Sequence, residues 1–186
     1  MATTGIIFAI NGPIVKTSND SGFEMHEMVY VGEENLVGEV IGLTSDATVI
    51  EVYEETGGIK PGEIVTGTGA PVSVTLAPGI LNNIFDGIER PLSEIAKVDG
   101  TYISRGVSVD SLDTKKLWKT HITVKPGQAI DGGTIIAEVP ETPAILHRVM
   151  LSPNLKGYVL DVVEDGEYTI NDKILTLQLE DGSEIP

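Results

Sequence analysis

Cysteine is absent from this chain, aromatic residues are scarce, and basic residues are almost missing from its first third. Each absence excludes something. Without cysteine there are no disulfides, thiolate zinc sites or thiol nucleophiles, and the lack suits a reducing compartment. Aromatics make up 5% of the 186 residues, so the cores must be built from Val, Ile and Leu. Residues 1–59 carry ten carboxylates and a single base, Lys16, and the whole chain has a net charge of -16. Such a surface repels phosphate backbones and anionic lipid headgroups, which argues against nucleic acid and membrane surfaces as partners. No apolar run approaches the roughly 18 residues of a membrane span. "GIIFAI" near the start is short and lacks the basic flank of a signal peptide. The expectation is a soluble, cytoplasmic chain.

What is present is β chemistry. Apolar residues reach 41%, enough for packed cores, and 21 glycines with 10 prolines supply many turns. "TTGIIFAI" reads as a buried strand, followed by turn chemistry at Asn11 to Pro13. "FEMHEMVYVGEENLVGEVIGL" alternates apolar and polar residues on either side of a Gly32 turn, the pattern of a hairpin. "DATVIEVYEET" alternates again, and Pro61-Gly62 turns into a further strand. Four to six short strands within about 70 residues suit a small closed barrel, because closure removes exposed edges.

Residues 76–92, "LAPGILNNIFDGIERPL", break that pattern. Ile80, Leu81, Ile84, Phe85 and Ile88 recur with helical spacing. The spacing predicts a short helix over 80–88, ended by Asp86-Gly87 and stopped by Pro91. Residues 93–112 read as irregular. From Lys115 a second β-rich unit begins, and it holds an internal repeat. "VKPGQAIDGGTII" (Val124 to Ile136) matches "VEDGEYTINDKIL" (Val163 to Leu175) in the order of Val, Gly, Ile, Asp/Asn and a closing aliphatic pair. Two such copies face each other in a flattened two-sheet sandwich with a pseudo-twofold axis, the barrel-sandwich hybrid of biotinyl and lipoyl carrier domains. The predicted class is therefore all-β: a barrel over 1–74, a connector with a short helix over 75–112, and a barrel-sandwich hybrid over 113–186.

The motifs that carry chemistry come up short. A carrier domain needs a lysine on the hairpin between its halves, and "PETPAILHRVMLSPN" (Pro140 to Asn154) offers His147 and Arg148 but no lysine; a guanidinium stays protonated and cannot replace it. "GQAIDGGT" (Gly127 to Thr134) has both glycines and the threonine of a phosphate loop, but Gly133 stands where the lysine belongs and a strand follows, so it reads as a pair of tight turns. His26-Glu27 begins a zinc-protease-like pattern, but Tyr30 replaces the second ligand, and the two residues point to opposite faces of a strand. His26, His121 and His147 share no ligand spacing. Asn19-Asp20-Ser21 matches a glycosylation acceptor by chance, and no Gly-x-Ser-x-Gly elbow occurs. Glu54-Glu55 reads as a solvated strand end before a glycine turn. Lys115, Lys116 and Lys119 around Trp118 read as a partner contact or as the anchor where the second unit begins. The expectation is no catalytic, cofactor-binding or metal-binding residue in these 186 positions.

One family joins these pieces. "GIIFAINGPIV", "VGEENLVGEVIGL", "VYEETGGIKPGE", "LAPGILNNIFDGIERPL" and "SRGV", in that order, resemble the amino-terminal third of the catalytic A subunit of V-type and archaeal A-type rotary ATPases. The resemblance implies a crown barrel that joins the B subunit of the ring, and a bulge insertion from about residue 113 that meets a stator stalk or a regulator. It implies ATP and magnesium held by the full-length polypeptide, proton or sodium translocation, and a place on the cytoplasmic side without direct membrane contact. The family's phosphate loop, catalytic glutamate and metal-binding region lie downstream of this insertion, so no position here matches them. The expectation is a piece of a longer polypeptide, monomeric and inactive by itself. A carrier-like module and an acidic two-domain binding module are the alternatives.

Overall fold

The computed structural model describes residues 3–18, 21–100 and 102–185, so the Asn19-Asp20-Ser21 match lies largely outside the described residues. The chain divides into two compact units. One comprises residues 1–74 with 85–109, the other 75–84 with 110–186.

The first unit is a closed six-stranded barrel. β1 (Thr4–Asn11), β2 (Ile14–Thr17), β3 (Glu27–Val31), β4 (Leu36–Leu43), β5 (Thr48–Val52) and β6 (Ile64–Pro71) pair antiparallel in the order β1-β2-β5-β4-β3-β6, and β6 closes on β1. Alternation makes this possible. Every second residue points inward, and Ile7, Val15, Val29, Val40, Ile50 and Val65 fill the interior almost without solvent contact. β3 and β4 form the hairpin that the alternating pattern predicts around Gly32. Among the described residues, three polar side chains are buried in this unit: Glu27, Thr17 and Thr48. Thr17 and Thr48 are paired across β2 and β5, both fully buried, and neither hydroxyl meets a hydrogen-bond partner.

The predicted helix over 80–88 does not form. That segment is a string of turns, and the helix α1 runs instead over Leu92–Asp99, inside the stretch read as irregular. Local chemistry explains the difference. Gly79, Asn82 and Glu89 take left-handed φ of 107°, 66° and 62°. The Asn83 amide donates to the Gly79 carbonyl, and the Asp86 carboxylate accepts from the Ile88 and Arg90 amides. These side-chain bonds satisfy the groups a helix would have used. Pro91 starts a helix rather than stopping one: its fixed φ and missing N–H suit the first position before α1. Ile95, 1% exposed, anchors α1, and the Gly100 amide closes it on the Ala96 carbonyl.

The second unit is a sandwich of two four-stranded sheets. Its strands are β7 (Trp118–Ile122), β8 (Ala129–Asp131), β9 (Ile135–Thr142), β10 (Ile145–Met150), β11 (Lys156–Val162), β12 (Gly166–Tyr168), β13 (Leu175–Leu179) and β14 (Glu184–Ile185). One sheet has the order β10-β9-β7-β12 and the other β14-β13-β11-β8. The sequence repeat is visible in this exchange. The middle strand of the first copy, β8, pairs with β11 of the second, and the middle strand of the second, β12, pairs with β7 of the first. Each sheet thus takes in one strand from the other copy. Val124, Ile130, Ile136, Val159, Leu175 and Leu177 form the shared core. The "GQAIDGGT" stretch supplies tight turns, with Gly127 and Gly133 at φ 81° and 85°.

Candidate functional site

The most elaborate polar arrangement in the barrel unit holds the segment 85–109 against the barrel. Its centre is Arg90. The guanidinium Nε donates to Asp86 Oδ2 at 2.7 Å, and Nη1 donates to the Val107 carbonyl at 2.9 Å and to Glu54 Oε1 at 3.3 Å. All three charged side chains are largely buried, with Arg90 13%, Glu54 11% and Asp86 18% exposed. Glu54 also accepts from the Gly106 amide at 2.8 Å. Burial, the largest single influence on Asp86, pushes its carboxyl up. The Arg90 amide and guanidinium and the Ile88 amide together outweigh it and hold the group below its ordinary value. Arg105 adds a second clamp, donating to Glu34 Oε1 at 2.7 Å, with its guanidinium against the backbone of Gly58. A cavity of about 440 Å³ lies beside this network, lined among others by Tyr30, Glu54, Arg90 and Gly106. The arrangement is a structural clamp in which every charge has a partner.

Sequence reasoning missed this clamp. It took Glu54 for a solvated residue, and the structure corrects that: Glu54 turns inward to Arg90 while Glu55 stays exposed. The available signal was the pair of arginines, Arg90 and Arg105, in a chain region otherwise rich in acid. His26 and Glu27 part company, but not across a strand: His26 lies in the turn before β3, which begins at Glu27. His26, at φ 66°, contacts Glu39 through Nδ1 at 2.7 Å, whereas Glu27 is buried and accepts from the Glu24 and Gly69 amides, each at 2.8 Å. Glu39 also accepts from the Tyr53 hydroxyl at 2.5 Å. That bond, and then the His26 contact, holds the Glu39 carboxyl below its usual value; the same bond pushes Tyr53 up to about 12.

In the sandwich unit the buried carboxylate is Glu141, 3% exposed. It accepts from the amides of Gly79 and Leu81 at 2.8 and 3.1 Å and lies 3.5 Å from His147 Nδ1. Trp118 is buried as an anchor, with the Lys116 ammonium 3.8 Å above its ring. The β9–β10 hairpin, where a carrier domain bears its lysine, turns through Pro143 and Ala144. Among the described residues, no group of three or more His, Cys, Asp or Glu is placed to hold a metal ion, and no helix is long and apolar enough to cross a membrane.

Two family models match this architecture unit by unit. The beta-barrel domain of the ATP synthase alpha/beta family matches residues 7–69, and the barrel-sandwich domain of ATP synthase alpha/beta subunits matches residues 109–185. The chain belongs to the ATP synthase alpha/beta family. Among curated relatives of this family, the V-type ATP synthase alpha chain of Halothermothrix orenii is 48% identical over 183 residues, 98% of this chain and 31% of the relative. The A subunit of the A-type ATP synthase of Methanopyrus kandleri is 46% identical over 97% of this chain and 30% of the relative. Its counterpart in Pyrococcus abyssi is 44% identical over 98% of this chain and 18% of its own length. The chain thus spans less than a third of the relatives it matches, and the similarity runs through the barrel, the clamp segment and the sandwich alike.

Proposed function

We propose that this chain is the scaffolding portion of a catalytic A subunit of a V/A-type rotary ATPase, which couples ATP hydrolysis or synthesis to proton or sodium translocation. The observation that carries the reading is similarity to the A subunits of such enzymes over nearly the whole chain, across both units. The barrel joins the B subunit in a ring on the cytoplasmic side. Its closed set of cross-strand hydrogen bonds resists shear cooperatively, and keeps the ring shut while other parts of the subunits open and close. The sandwich, as the bulge insertion, meets the stator stalk or a regulator. ATP and magnesium are held by sequence outside these 186 residues, and the chain by itself is a monomer without nucleotide turnover. The missing hairpin lysine leaves the carrier-like reading without its attachment group.

The test has two arms. In the first, the purified chain is incubated with ATP and magnesium and phosphate release is followed; turnover would overturn the scaffold reading. In the second, residues 113–184 are deleted from the complete polypeptide. Loss of assembly, coupling or regulation is expected, and an unimpaired enzyme would remove the bulge assignment.

A further inference from the structure

The outside of the barrel is not uniform. Because the strand order closes β6 onto β1, the β1/β6 seam lies diametrically across the barrel from the β4/β5 seam. On the first seam Ile6 stands directly opposite Ile64, with Phe8 two residues along β1, and all three are more than half exposed. On the second seam Glu39 stands directly opposite Glu51, with exposed Ile41 and Tyr53 on either side. Like charges directly opposite each other destabilise a sheet. Glu39 has the Tyr53 hydroxyl and His26 beside it, but no basic side chain lies within salt-bridge distance of Glu51 among the described residues.

One seam is therefore apolar and the other acidic. Two unlike faces on opposite sides suit a head-to-tail array, in which each member offers one face to each neighbour; a twofold dimer uses one face twice. Copies of this chain alone cannot build the array. Each contact would press the Glu39–Glu51 pair against Ile6, Phe8 and Ile64 of the next copy, stripping water from carboxylates without supplying a base. The chains would also gather a charge of -16 apiece. The neighbour has to be a different chain.

We propose that the two seams are the barrel's two docking faces for a different member of the ring: β1/β6 takes an apolar surface, and β4/β5 takes a surface bearing a basic side chain. This rests on the ring reading above and adds which faces are used and what each recognises.

The absence of cysteine makes the test clean. Ile64→Cys and Glu51→Cys, each carrying a benzophenone maleimide, are photolysed in the presence of the B subunit of the same complex. Asn11→Cys and Asp46→Cys probe the turns at the barrel's ends. Both seam probes are expected to capture the B subunit, on two different segments of it. Glu39→Lys should lower capture from the acidic seam by up to about fivefold, the worth of one exposed ion pair, and leave capture from Ile64 unchanged. Raised salt should act on the acidic seam alone. Capture of one and the same segment from both seams, or equal salt sensitivity at both, overturns the proposal. Capture from Asn11 or Asp46 but from neither seam overturns it while leaving the ring reading intact. No capture from any barrel position overturns both.

Discussion

Arg90→Met is the most informative single change in the barrel unit. It keeps the length and much of the apolar stem but deletes the charge, leaving Asp86 and Glu54 without their shared cation. Removing one partner of a buried ion pair costs about 3–5 kcal/mol. The lower figure applies here, because Asp86 keeps the Ile88 and Arg90 amides and Glu54 keeps the Gly106 amide. At roughly 4–8 °C per kcal/mol for a unit of this size, 3 kcal/mol lowers the melting temperature by about 12–24 °C. Amide hydrogen exchange locates the loss: Ile50 and Val65 report the barrel, and Ile95 reports α1. Adding Glu54→Gln to Arg90→Met removes one stranded carboxylate and should recover part of the loss. The pH dependence has a defined direction. Asp86 has a depressed pKa in the fold, so its contribution is present above the unfolded value of about 3.9 and is lost as pH falls through the folded value. Arg90→Met should flatten that acid limb. A cost below about 1 kcal/mol, the range of an exposed pair, or no recovery in the double variant, would refute the view that the clamp is a buried and mutually dependent network.

Other outcomes follow from single contacts. Thr17→Val with Thr48→Val removes two buried hydroxyls that lack partners and should stabilise the barrel by about 1 kcal/mol or more in chemical denaturation; Thr120→Val, whose hydroxyl donates to the Trp118 carbonyl, should destabilise the sandwich instead. In an absorbance titration one of the five tyrosines should ionise near 12, and Tyr53→Phe should remove that step; because this pKa is raised, its contribution to stability is present below about pH 10 and is lost as pH rises through 12. Gly157→Ala drives a methyl group into the Gln178 carbonyl across the β11–β13 pair and should cost about 1–3 kcal/mol, read as an earlier melt of the sandwich by Trp118 fluorescence.

The barrel and the sandwich were legible because both are written in period-two alternation and repeated spacing, which survive without knowledge of any partner. "MVYV" and "TVIEV" announce their inward faces, and the Val124 and Val163 copies announce their symmetry. The connector was not legible for the opposite reason. Ile80 to Ile88 has helical spacing, but spacing says nothing about which backbone groups side chains will claim: Asn83 takes the Gly79 carbonyl, and Asp86 and the distant Glu141 take backbone amides. Glu54 misled in the same way: its neighbours in sequence suggest solvent, and only a residue 36 positions later gives it a buried partner. Long-range polar contacts are the part of a fold that local pattern cannot carry.

The two units also differ in how they can be approached by other chains. A closed barrel has no free strand edge, since every one of β1 to β6 is paired on both sides. Anything that meets the barrel wall must do so through outward side chains, such as those of the Ile6–Ile64 and Glu39–Glu51 pairs. The sandwich keeps open edges at β10, β12, β14 and β8. At β10 the edge is interrupted: the pairing with β9 shifts register between Ile145 and Leu146 and again between Val149 and Met150, and such irregularities discourage a further strand from adding. β8, β12 and β14 are only two or three residues long, too short to template another strand. Each unit thus suppresses backbone pairing by its own means, closure in one and short or broken edges in the other. Contacts made by either unit must therefore be specified by side chains.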